Sequence, residues 1–115
     1  MNAPTELRVS KDRKVLTVTF EGDAVPLEAE LLRVLSPSAE VQGHAPDQRV
    51  TVPGKRSITI SDVQPIGHYA IRVVFADGHD SGLFTWNYLA KLAREKDALF
   101  AQYLDELAAK GLSRD

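Results

Sequence analysis

The hexapeptide Asp77-Gly78-His79-Asp80-Ser81-Gly82 gathers most of the side chains in this sequence that could do chemistry. A histidine oriented by Asp77 or Asp80 has the composition of a general base, and Ser81 adds a hydroxyl. A hydrolytic Ser-His-Asp site needs more than that: a substrate cleft and donors for an oxyanion. No part of the sequence announces either. Turn chemistry accounts for the same residues. Asp77-Gly78 suits a turn that requires positive φ, and Asp80 and Ser81 can bond neighbouring backbone amides. The expectation is a chain that is not an enzyme, with this turn as part of a binding surface.

The flanking patterns show what must hold the turn in place. Tyr69, Ile71, Val73 and Phe75 alternate with other residues and predict a strand with one buried face. Leu83 and Phe84 fall on the returning strand. Thr85 is placed to cap a helix that starts at Trp86, the sole tryptophan. Leu89 and Leu92 would form that helix's buried side. Leu99, Phe100, Tyr103, Leu104 and Leu107 continue an apolar stripe, either in a second helix capped by Asp97 or in one unbroken helix, and Gly111 ends it. Upstream, Leu7 and Val9 alternate, as do Leu16, Val18 and Phe20, and together they predict a hairpin. Pro26 is expected to open a helix carrying Leu27, Leu31, Val34 and Leu35. Ser36 to Gln48 reads as a long loop containing His44. Val50 and Val52 suggest a short strand stopped by Pro53-Gly54, and Ile58 and Ile60 alternate after it. The order of elements implies an α+β fold: an antiparallel sheet of about five or six strands, with an inserted helix and C-terminal helices packed on one side.

Composition narrows the functions. The 115 residues make a single domain (1–115), with 43% hydrophobic and 26% charged residues. A net charge of −2 argues against generic binding to a phosphate backbone, so no nucleic acid is expected. Lys11, Arg13, Lys14, Lys55 and Arg56 read as solvated turn charges. The chain has no cysteine, which excludes disulfides, thiolate zinc sites, cysteine-ligated clusters and cysteine nucleophiles within it. No apolar run approaches the roughly 18 residues of a membrane span, and the first residues lack the features of a signal peptide. The expected compartment is the cytoplasm.

The run Phe75-Ala76-Asp77-Gly78-His79-Asp80-Ser81-Gly82-Leu83-Phe84-Thr85-Trp86-Asn87-Tyr88-Leu89 resembles the small N-terminal domain of gamma-butyrobetaine hydroxylase. A second block, Leu31 to His44, agrees, as does Ile60 to Gly67. In the hydroxylase, the resemblance implies, this domain holds a structural zinc through one histidine and a Cys-Pro-Cys-x-x-Cys run that follows a Leu-Arg pair. The histidine position matches His79. The matching run here is Ser36-Pro37-Ser38-Ala39-Glu40-Val41, so the thiolate positions have become Ser36, Ser38 and Val41. The hydroxylase's iron chemistry belongs to a separate, larger domain with a two-histidine, one-carboxylate triad, and no His-x-Asp or His-x-Glu sequence occurs here.

The resemblance leaves three readings. The first is a non-catalytic binding or adaptor domain with a protein partner, working through the Ser36–His44 loop and the Asp77–Gly82 turn. The second is a metal-binding protein that takes iron or zinc on His79 and His44, with Asp77, Asp80 and Glu40 as further ligands. The third is an accessory to iron–sulfur or metal-cofactor assembly, because related domains also occur fused to P-loop scaffold proteins of that process. In the first reading, His79 bonds across to the serine loop, and hydrogen bonds take over the metal's task of joining the two segments.

Overall fold

The computed structural model describes residues 3–43 and 49–115, without the side chains of Ala39 and Glu40. Among the described residues, six antiparallel strands and three helices follow one another: β1 (Glu6–Val9), β2 (Val15–Phe20), β3 (Asp23–Glu28), α1 (Ala29–Val34), α2 (Ala39–Gln42), β4 (Ile60–Ile66), β5 (Ala70–Phe75), β6 (Leu83–Thr85) and α3 (Trp86–Ala109). The class is α+β, as expected. The six strands are divided between two three-stranded sheets, ordered β1-β2-β3 and β4-β5-β6.

Local turn chemistry builds the first sheet. The Ser10 hydroxyl and the Asp12 carboxylate bond to each other and accept from the Val15 and Lys14 amides, which closes the β1–β2 turn. Glu21 and Gly22 both lie at positive φ, +48° and +89°, between Phe20 and its partner Asp23. Two such residues in succession form the tight turn that matches strand twist. This turn corrects the expectation for Pro26. The chain from Asp23 to Glu28 returns as a strand, and the helix starts only at Ala29. Proline is tolerated in β3 because the strand lies at a sheet edge, where a missing ladder donor costs little. Leu27 is still buried, but as the inward residue of a strand. The second sheet likewise carries a proline, Pro65, in its outer strand β4.

The sheets meet through the first hairpin. The Ile60 amide donates to the Arg13 carbonyl at 2.8 Å, and the Arg13 guanidinium donates to the Ile60 and Ser61 carbonyls. Arg13 is therefore a cross-sheet link and not a solvated tip. Leu16, Val18 and Leu27 of one sheet, Ile71, Val73, Phe75 and Phe84 of the other, and Leu89, Leu92, Tyr103 and Leu107 of α3 form a continuous core.

Helix α3 is unbroken over its 24 residues, so Asp97 caps nothing. Its bounds obey the expected signals. The Thr85 hydroxyl accepts from the Tyr88 amide at 3.2 Å. At the far end Gly111 sits at φ +67°, with Leu112 N–H bonded to the Leu107 carbonyl in the left-handed stop that glycine permits. Leu104 departs from the apolar stripe and is 38% exposed. Tyr69, at 55% exposure, stands on the β4–β5 turn and not on the buried face. Val50 and Val52 form no strand. The Val52 carbonyl instead accepts from the Tyr103 hydroxyl at 2.5 Å, which lays that segment against α3.

Removing the α3 cap tests how far this helix depends on its start. Thr85→Ala is expected to cost about 1 kcal/mol, read as a lower urea midpoint with an unchanged slope.

Candidate functional site

The site lies where the segment after α1 meets the β5–β6 connection. The Leu35 amide closes α1, and Pro37 prevents its continuation. The chain then passes Ser36 and Ser38 before α2. Three side chains brace this bend. The Gln42 amide donates to the Ser36 carbonyl at 3.0 Å. The Tyr88 hydroxyl donates to the Leu35 carbonyl at 2.5 Å. Burial pushes the Tyr88 hydroxyl up from its ordinary value, so it stays protonated as a donor. Val41 is buried beneath the bend.

His79 approaches from the other segment. Its Nε2 lies 3.0 Å from Ser36 Oγ and 3.3 Å from Ser38 Oγ, and the two hydroxyls also bond each other at 3.3 Å. Ser36 is fully buried, Ser38 is 5% exposed and His79 8%. The His79 ring is tilted against Phe75, with centroids 6.1 Å apart. Buried polar atoms left without partners would each cost on the order of 1–3 kcal/mol, so this mutual arrangement is what allows the three residues to be internal. The close approach also depends on Gly82. A Cβ there would lie 2.2 Å from Ser36 Oγ and 3.1 Å from Pro37 Cδ.

Asp77 is occupied elsewhere. Its Oδ1 accepts from the His79 amide at 3.0 Å. Its Oδ2 accepts from Arg33 Nε at 2.8 Å and Lys55 Nζ at 2.7 Å. Partial burial pushes the carboxyl up, but the hydrogen bonds from Lys55, the His79 amide and Arg33 outweigh it and hold Asp77 well below the usual carboxylate range. Lys55 is therefore an ion-pair partner and not a solvated tip. Asp80 is exposed on the rim of the turn. His44 and the Glu40 side chain lie outside the described residues. Among the described residues, no three histidine, cysteine or acidic side chains converge as a metal-holding group.

Residues 7–90 match the family described as gamma-butyrobetaine hydroxylase-like, N-terminal. The chain belongs to that family. Two solved relatives, both NMR solution structures, support the fold of this family member. One is 51% identical over all of this chain and 91% of its own, with a TM-score of 0.87. The other is 40% identical over 99% and 86%, with a TM-score of 0.84. A crystal structure of a protein of unknown function from Acidithiobacillus ferrooxidans, assigned to the DUF971 family, is 36% identical over 78% of this chain and 91% of its own, with a TM-score of 0.64. No curated protein matches the chain.

The donor set does not fit the zinc that the family resemblance implies. Structural zinc takes four charged or imidazole ligands, usually thiolates. At the corresponding positions this family member offers two neutral hydroxyls, an aliphatic Val41 and one imidazole, whose Nε2 already faces both hydroxyls. Sequence reading located His79 and the two serines. It gave no individual site role to Arg33, Lys55, Gln42, Tyr88 or Gly82, although Gly82 lies in the hexapeptide itself and Arg33, Gln42 and Tyr88 lie in the blocks that carry the resemblance.

Two substitutions test the geometry. Gly82→Ala should destabilise by about 1–3 kcal/mol and shift the His79 ring resonances, because Ser36 must move. Asp77→Asn should cost about 1–2 kcal/mol at pH 7, between the values for exposed and buried ion pairs. The sign of its pH dependence follows from the depressed carboxyl. The stability Asp77 supplies is complete above its unfolded value near 3.8 and is lost as pH falls below it. The gap between wild type and variant in denaturant midpoint should therefore close in acid.

Proposed function

We propose that this chain is a non-catalytic binding domain, an adaptor for a protein partner, in which hydrogen bonds join the two segments that the family resemblance joins through zinc. The observation that carries this reading is the buried contact of His79 Nε2 with Ser36 and Ser38. The groups that looked suited to chemistry are engaged in holding the segments together. Asp77 serves Arg33, Lys55 and the His79 amide, and His79 serves the serines. The outward surface of the site is then the rim carrying Asp80 and Ser81, both exposed. The exposure of that rim supports a contact with a partner there.

A second reading, iron or zinc bound by His79 with His44, is favoured by the position of His79 at the family's histidine ligand. The two readings separate in one titration. On the adaptor reading, micromolar zinc or iron(II) leaves the His79 and His44 resonances unmoved, and chelator leaves the unfolding midpoint unchanged. Saturable shifts at His79 would establish the metal reading instead. The triple variant Ser36→Cys/Ser38→Cys/Val41→Cys serves as the positive control. With thiolates restored it should bind zinc and gain thermal stability from it. For the adaptor surface, Asp80→Arg should abolish cross-linking to the partner while preserving the folded spectrum. Retained cross-linking would move the contact surface elsewhere.

A further inference from the structure

A cleft of about 230 Å³ lies between α3 and the segment that follows α1. Leu35, Leu92 and Leu99 supply its apolar lining, and Lys91, Arg49 and Gln102 supply charged and polar groups. The remaining wall is formed by Gln42 and Tyr88, the two side chains that brace the bend after α1. Leu92 and Leu99 stand about two turns of α3 apart, and Lys91 and Gln102 about three. The lining therefore extends about 16 Å along the helix axis.

The polar part of this lining has one sign. Among the described residues, no carboxylate lines the cleft. Lys91 is exposed and has no bonded partner among the described residues. Arg49 donates to Glu106 through Nη2 only, which leaves further guanidinium N–H groups uncommitted. The Arg49 charge also reaches the opposite wall: burial raises the Tyr88 hydroxyl, and Arg49 acts on it in the other direction. Three leucines beside uncommitted cationic donors are complementary to an anionic head on an apolar stem. An amine would meet like charge, and a neutral hydrocarbon would desolvate the donors without pairing them. The volume is below the roughly 300–1,000 Å³ of clefts that take drug-sized ligands, so the ligand is small. The length of the lining along α3 makes its stem linear.

We infer that this cleft binds a short, linear apolar carboxylate, its head at Lys91 and Arg49 and its stem on Leu35, Leu92 and Leu99. The inference is independent of the adaptor reading, because none of these residues belongs to the Asp80–Ser81 rim. A free acid and the apolar C-terminal residue of a peptide share this chemistry.

The test titrates hexanoate into the full chain and follows the amides by NMR. Saturable shifts are expected at Lys91, Leu92, Leu99 and Gln102. Butyrate should bind about tenfold more weakly, at roughly threefold for each methylene removed. Hexylamine, with the same stem and the opposite charge, should bind at least about tenfold more weakly than hexanoate. Lys91→Gln changes an exposed side chain and should weaken hexanoate about threefold while the rest of the spectrum stays in place. Acetyl-glycyl-leucine separates the two sources of the carboxylate: tighter binding than hexanoate assigns the cleft to a peptide terminus, and weaker binding assigns it to a free acid. Absence of saturable shifts, shifts centred away from these residues, hexylamine binding as well as hexanoate, or a Lys91→Gln variant that binds hexanoate as wild type does would each overturn the inference.

Discussion

The internal meeting of one imidazole with two hydroxyls governs the geometry of this domain. Two chain segments more than forty residues apart come together at polar atoms that water does not reach. Such atoms are costly to leave without a partner. His79 Nε2 and the Ser36 and Ser38 hydroxyls partner one another, and this fixes several other choices. Gly82 must lack a side chain where Ser36 arrives. The carbonyls of Leu35 and Ser36 must be held by Tyr88 and Gln42 so that the bend presents its hydroxyls inward. In a relative with thiolates and zinc, four strong bonds would impose the same closeness. Here the closeness rests on neutral groups, each worth about 0.5–1.5 kcal/mol net, and therefore on accurate packing around them.

Charge reinforces this contact from outside. Asp77 brings Arg33 of α1 and Lys55 of the following loop to the turn that carries His79, and its other oxygen fixes the His79 amide. One carboxylate thus orients the imidazole's backbone and ties it to two other parts of the chain. The result is a turn whose most polar residues face inward to the protein and leave Asp80 and Ser81 for the surface. A second ion pair, Arg114 with Glu30, performs a comparable joining task between the end of the chain and α1.

The legible parts of the sequence were those with local causes. The β5 alternation, the Thr85 cap and the Gly111 stop each act over a few residues, and each stands where expected. His79 and the serines were legible through the resemblance, which aligned two separated blocks. Pro26 misled because helical spacing at Leu27, Leu31 and Val34 coincides with a strand that runs directly into a helix; the cue that separates them is the Glu21-Gly22 turn. The partners of Asp77 were not legible, since Arg33 and Lys55 reach it only through tertiary packing. Gly82 was equally opaque. Its lack of a Cβ matters only because Ser36 arrives beside it, and nothing in its own neighbourhood says so.

The prolines in β3 and β4 reach beyond local pairing. Each sheet has two outer strands. In one sheet these are the proline-bearing β3 and the four-residue β1; in the other, the proline-bearing β4 and the three-residue β6. Every open edge is thus either interrupted or very short, which discourages another chain from joining a sheet as an added strand. The described sheets therefore disfavour growth by strand addition, and any contact that relied on generic backbone pairing at their edges is disfavoured with it.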